Sequence, residues 1–233
     1  MALFAVFGVA LVGATFVGLF AAAFGDDLKH PSASTIVAST YLQDILLVVG
    51  SFAFARISAV PRATDFGLRL KHRWRAVGWT AAVWFVFFVI TAVWAYALGL
   101  DEAEKNIREE LGTESGTFGL LAAAALVTVA APIGEEIFFR GYFYRSLSNW
   151  HGFWPAAILT GVVFGAIHIG SAEPEYLAPL AIFGFLLCLL YRLTGSLYPC
   201  VALHALNNSL AFGVGLDWSW QIPVTMVASV TVC

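Results

Sequence analysis

The chain has 233 residues, 60% of them hydrophobic, 15% aromatic and only 12% charged, with a mean hydropathy of +0.83. A soluble domain carries about 25% charged residues, so this composition excludes an ordinary soluble fold. It also excludes a disordered chain, which is poor in aromatic and branched apolar residues. The net charge of −3 gives no footprint for nucleic acid. The class that remains is a polytopic membrane protein whose apolar surface is solvated by lipid.

A helix needs about 20 mostly apolar residues to cross a bilayer. Read in chain order, the predicted spans are Leu3–Phe24, Ile36–Phe54, Val77–Leu100, Phe118–Tyr144, Trp154–Ile169, Leu177–Leu193 and Leu197–Phe212. An eighth begins at Trp218, but only about 16 residues follow it, short for a full span. The fold class expected is therefore all-α, a transmembrane bundle of seven or eight helices. It reads as one domain over residues 1–233, with a motif-bearing core over 118–213. An apolar pattern that recurs along the whole chain excludes a signal peptide on a soluble body. Cys188, Cys200 and Cys233 are odd in number and have no CxxC spacing. They supply neither a disulfide framework nor a cysteine metal site.

Arg56, Arg62, Arg69, Lys71, Arg73 and Arg75 gather between the second and third spans. Cations prefer the cytoplasmic side, which puts the N-terminus inside. The loops near Asp26, over Asp101–Glu114 and near Glu173 then lie outside. Trp79, Trp94, Trp150, Trp154, Trp218 and Trp220 fall near span ends, as interfacial anchors do. The stretch Arg62–Arg75 has two readings: an amphipathic surface helix, with Phe66, Leu68, Leu70 and Trp74 alternating with cations, or a plain basic loop.

Ionisable residues inside a bilayer cost on the order of 2.5–3.5 kcal/mol each, so the few present here stand out. The fourth span holds Glu135, Glu136 and Arg140. Glu136 and Arg140 are four apart and share a helix face, so they can pair. Glu135 points about 100° away and is left without that partner, as suits a general base. The fifth span carries His168 and the seventh carries His204 and Asn208, again four apart. At 1.5 Å per residue these groups lie about 10–20 Å from the inner ends of their spans, compatible with one layer. In a hydrolytic site Glu135 would deprotonate a water that His168 helps to hold. His204 and Asn208 would donate to the oxyanion, and Glu136–Arg140 would fix the helix and its field. Gln43 and Asp44, in the second span, read as structural or cavity-lining, with no second intramembrane aspartate for an aspartyl dyad.

Glu135-Glu136-x-x-x-Arg140, Phe164-x-x-x-His168 and His204-x-x-x-Asn208 resemble, in order, the three motifs of the CPBP intramembrane proteases. These include the CAAX prenyl endopeptidases of the Rce1 type. Each motif alone is weak; His168, read singly, is as easily a core histidine. The resemblance runs from Glu135 to Asn208 and elsewhere extends only to hydropathy and span count. It implies a helical membrane bundle, with a cavity opening toward cytoplasm and lipid. It also implies an endopeptidase with catalytic Glu135, His168, His204 and Asn208, supported by Glu136 and Arg140. The substrate would be a membrane-anchored peptide or protein, prenylated at a CaaX end in the eukaryotic members. Prokaryotic members are linked to bacteriocin self-immunity and peptide maturation, and the compact size suggests a prokaryotic cell membrane. The family has often been called a metalloprotease, and zinc on Glu135, His168 and His204 is the alternative to a metal-free site. The HExxH helix is absent, and a glutamate-activated water needs no cofactor. Two other functions compete. A proton-coupled transporter also buries Glu and His, but no related halves are seen. A non-catalytic scaffold or immunity protein would be expected to have lost a motif residue, and none is lost. A serine protease lacks its elbow motif.

Overall fold

The computed structural model describes residues 32–70, 72–100 and 116–233, with positions 15, 18–19, 21–23 and 25–26. The predicted first span Leu3–Phe24 lies largely outside the described residues, and the acidic segment Asp101–Glu114 lies wholly outside them. Seven helices are described beyond residue 32. They are α1 (Ala33–Ser58), α2 (Arg73–Leu98), α3 (Thr117–His151), α4 (Phe153–Ala166), α5 (Pro174–Thr194), α6 (Tyr198–Gly215) and α7 (Gln221–Val232).

Local chemistry sets several helix starts. Ser32 caps α1 with extended backbone, its hydroxyl accepting from Thr35 N at 3.4 Å. Asp26 braces that cap, accepting from Ser32 N at 3.0 Å, Ser32 Oγ at 2.6 Å and Thr35 Oγ1. These donors hold the Asp26 carboxyl below the usual carboxylate range. Pro174 and Pro199 stand in the first turns of α5 and α6, where the missing N–H costs nothing.

Four described helices, α1, α2, α3 and α5, are long and apolar enough to cross a membrane. On α2, Phe85, Phe88 and Val93 are 68%, 57% and 62% exposed. A contiguous apolar surface of this kind needs lipid or a partner to cover it, and together with the composition it makes this an integral membrane protein. Among the described residues four helices reach spanning length, which leaves the predicted count of seven or eight spans unconfirmed. Helix α4 has 14 residues and α7 has 12, about 20 Å and 18 Å at 1.5 Å per residue, against a core about 30 Å thick. The predicted fifth span also ran too far: α4 stops at Ala166, and His168 sits in the turn beyond it.

Helix α3 is the centre, packing against α1, α4, α5, α6 and α7. Its 35 residues are interrupted by two π-helical segments, Leu126–Ala130 and Ile137–Tyr144. The main core joins Phe138, Phe139 and Phe143 of α3 to Phe164, Phe183, Leu187 and Leu203. Helices α4 and α5 approach so closely that a Cβ on Gly184 would lie 2.8 Å from Phe164 Cβ and 3.0 Å from Gly161 Cα. Small residues permit such contacts where the hydrophobic effect between helices is weak.

The stretch Arg62–Arg75 is not an amphipathic surface helix. It makes one 3-10 turn, Ala63–Phe66, and Phe66 turns inward, 2% exposed, with its ring 4.4 Å from that of Phe52. The loop is tied to the start of α6 by Leu197 N donating to Gly67 O at 2.8 Å. Trp74, Trp150, Trp154 and Trp220 remain exposed near helix ends, as interfacial anchors would. Trp94 instead donates Nε1 to Glu175 O at 3.0 Å, and Trp218 packs edge-on to Phe212.

Gly184→Ala should destabilise the bundle by about 1–3 kcal/mol through overpacking against backbone. The check is the denaturation midpoint of the purified protein in detergent. An unchanged midpoint would mean that α4 and α5 have room to part.

Candidate active site

The polar centre forms where α3, α5 and α6 meet. Glu136 and Arg140 are both 0% exposed, and Arg140 Nη1 donates to Glu136 Oε1 at 2.6 Å. The four-residue spacing therefore makes the predicted pair. Two further contacts were not visible in the spacing. His204 of α6 places Nδ1 2.9 Å from the same Glu136 oxygen, and Arg140 Nη2 donates to Gly184 O of α5 at 3.0 Å. The guanidinium also lies over the Phe164 ring, 4.8 Å from its centroid. Burying these charges is tolerable only because each has a partner.

The Phe164 ring links the two histidines, 5.1 Å from the His168 ring and 5.7 Å from the His204 ring between centroids. His168 Nδ1 lies 2.8 Å from Phe164 O. A carbonyl only accepts, so Nδ1 carries the proton and Nε2 of the neutral ring keeps a lone pair. His204 Nδ1 likewise meets an acceptor, the Glu136 carboxylate, which leaves its Nε2 unspent.

Asn208 is positioned by an irregularity of α3. In the π-helical stretch the Ala131 N–H reaches Leu126 O, five residues back. The next residue in that register, Pro132, has no N–H to give to Val127 O. Asn208 Nδ2 supplies the donor at 3.0 Å. Proline within the motif helix was the sequence signal for a freed carbonyl here.

Oε2 of Glu135 and Oε2 of Glu136 are both buried with no hydrogen-bond partner among the described residues. The two differ in that Glu136 Oε1 is held by Arg140 and His204, whereas no described residue holds Glu135 in that way. The structure thus joins Glu136, Arg140 and His204 directly, sets His168 beside them across Phe164, and anchors Asn208 on α3. It does not make the zinc alternative: among the described residues no three His, Cys, Asp or Glu side chains are grouped to hold one ion. Glu135, His168 and His204 therefore do not fit as a ligand set. A cavity of about 690 Å³ opens between the end of α1, the basic loop and the last third of α3, lined by Phe54, Val60, Tyr142, Arg145 and Trp150. It contains none of the candidate catalytic side chains.

These features define a helical integral membrane protein with an ion cluster and one imidazole in its core and a second, half-buried imidazole beside them. Residues 117–210 match the family model described as type II CAAX prenyl endopeptidase Rce1-like. That stretch holds all three motifs, so the resemblance read from Glu135 to Asn208 is shown, and over these residues the chain is similar to the Rce1-like family. No curated protein and no solved structure matches the chain.

Arg140→Ala should cost about 3–5 kcal/mol, because it strands a buried carboxylate. Arg140→Lys should recover only part, lacking the fork that reaches both Glu136 and Gly184 O. Both are read from denaturation midpoints, and full recovery by lysine would contradict the forked geometry. A second check concerns Val127 O. Asn208→Ala should cost about 1–3 kcal/mol by leaving that carbonyl unpaired. In a Pro132→Ala background, where an N–H returns, the cost should shrink, with a coupling of about 0.5–3 kcal/mol in the double-mutant cycle. Strict additivity would sink this account of Asn208.

Proposed function

We propose that this protein is an intramembrane endopeptidase that hydrolyses a peptide bond of a membrane-associated substrate, with Glu135 as general base. The observation that carries this reading is the division of labour between adjacent carboxylates. Glu136 is fixed through Oε1 by Arg140 and His204, whereas Glu135 has no cation or imidazole bonded to it among the described residues and keeps a buried oxygen uncommitted, within the stretch that matches the CAAX endopeptidase family.

In this mechanism a water gives one proton to the Glu135 carboxylate while its other hydrogen bonds to His168 Nε2. The oxygen bonds to the scissile carbonyl carbon. Nε2 of His204, whose ring is oriented by Glu136, and the second amide hydrogen of Asn208 donate to the resulting oxyanion. Each such donor is worth about 3–4 kcal/mol at most. The C–N bond then breaks, and the proton on Glu135 passes to the leaving amine. No step is routed through a metal.

The family description, a CAAX prenyl endopeptidase, supports a lipid-anchored peptide of CaaX type as the substrate class. We assign the basic side of the bundle, with Arg62, Arg69, Arg73 and Arg75, to the cytoplasm. The N-terminus then lies inside, and the site opens to that side. The short helices α4 and α7 complete a bundle of seven or eight membrane segments in a single unit.

The test is cleavage of a fluorogenic prenylated CaaX peptide by the purified protein in detergent. Wild type should cleave it, and Glu135→Gln should lower kcat by about 10²- to 10⁴-fold with an unchanged denaturation midpoint. A zinc chelator should leave the rate unaltered. Activity surviving in Glu135→Gln would remove the base assignment. Loss to chelator with recovery on added zinc would overturn the metal-free step. A folded wild type that leaves the peptide intact would overturn the CaaX substrate class.

A further inference from the structure

Helix α1 carries a carboxyl that the proposed reaction leaves unused. Asp44 is 5% exposed, and neither of its carboxyl oxygens has a hydrogen-bond partner among the described residues. A buried polar group of this kind calls for an explanation. Its place in the packing suggests one. Helix α1 crosses α3 at Gly134, where a Cβ would lie 3.1 Å from Asp44 Cβ and 3.2 Å from the Asp44 carbonyl oxygen. The glycine lets the two backbones meet, and the next residue along α3 is Glu135.

The surroundings single out Glu135 as the group Asp44 answers to. Glu135 directly follows Gly134, the residue against which the Asp44 backbone rests, and is near enough to Asp44 for their charges to interact. Glu136 and Arg140, also on α3, are bonded to one another, and Glu136 to His204 of α6. The titratable neighbour on α1 itself, Tyr41, donates its hydroxyl to Ala122 O at 3.1 Å. A buried and a half-buried carboxyl therefore sit at one helix crossing, each with a buried oxygen that no described residue satisfies. Two anions in that position would repel at low dielectric, and one proton held in common removes the conflict.

We propose that Asp44 is the positioning residue of Glu135: the two form a carboxyl pair sharing one proton through a bridging water. The proton stays on the Asp44 side and keeps Glu135 anionic and aimed at the substrate. This rests on the reading of Glu135 as general base. Asp44 gains and loses nothing in the reaction itself. The proton taken from the attacking water resides on Glu135 and leaves with the amine.

The experiment combines a spectroscopic readout with a kinetic one on the full chain in detergent. Infrared spectroscopy of wild type at neutral pH should show a protonated carboxyl stretch. It should be absent in Asp44→Asn and displaced in Glu135→Gln, and neither result depends on cleavage. With the prenylated peptide, Asp44→Leu should lower kcat by about 10- to 100-fold, the loss of one hydrogen bond to a charged group, with KM unchanged. Asp44→Asn, which keeps a donor of the same shape, should recover most of that loss. A carboxyl band that persists in Asp44→Asn overturns the pair, and so does equal loss of kcat in the Leu and Asn variants. If Asp44→Leu does not fold, the infrared comparison of Asp44→Asn with Glu135→Gln decides alone. A folded wild type with no peptidase activity, but with the band lost in Asp44→Asn, overturns the protease reading and leaves the carboxyl pair standing.

Discussion

Glu136 has no exposed surface, and one of its oxygens receives both Arg140 and His204. A carboxylate so deep in an apolar bundle is stable only with cations and donors arranged around it. Meeting that need ties separate helices together. Arg140 reaches α5 through Gly184 O, His204 belongs to α6, and the guanidinium rests on Phe164 of α4. The hydrophobic effect contributes little between helices in lipid. Polar contacts and close packing at small residues therefore carry the specificity of assembly, and here they coincide.

The same cluster separates two chemically identical neighbours. Glu135 and Glu136 differ by about 100° around the helix, so Glu136 meets Arg140 and His204 while Glu135 is turned off that face. Glu136 becomes part of the framework. Glu135 has no such anchor and keeps a buried oxygen without a partner among the described residues, as Asp44 of α1 does. A buried group left without a protein partner is costly, and such groups tend to mark function rather than stability.

Helix α3 itself is irregular where this happens. The stretch with both glutamates, Ala131–Glu136, lies between two π-helical segments. π-bulges often accompany functional sites, and Pro132 gives a local cause: with no N–H to offer, it leaves Val127 O to the side chain of Asn208. An amide from a distant helix thus becomes part of the backbone hydrogen bonding of α3.

Much of this was legible without coordinates. Composition and hydropathy dictated a lipid-solvated helical protein, because so few charges cannot solvate a water-facing surface. The four-residue spacing of Glu136 and Arg140 dictated their pairing, a local consequence of helix geometry. The three motifs pointed to the family whose model matches residues 117–210. Helix lengths and loops were less legible: α4 ends at Ala166 where hydropathy ran on, and Phe66 leaves the basic stretch for the core because Phe52 and Gly141 make room for it. Hydropathy reports the preference of a segment for lipid, not where neighbouring helices turn it. Only the tertiary structure decided that His204, 68 residues away in the chain, would meet Glu136 rather than Glu135, and that Asp44 would lie against Gly134. Those contacts depend on how α1 and α6 dock on α3, and docking is set by packing and by the matching of buried charges across helices, neither of which is encoded in the spacing of residues along any one of them.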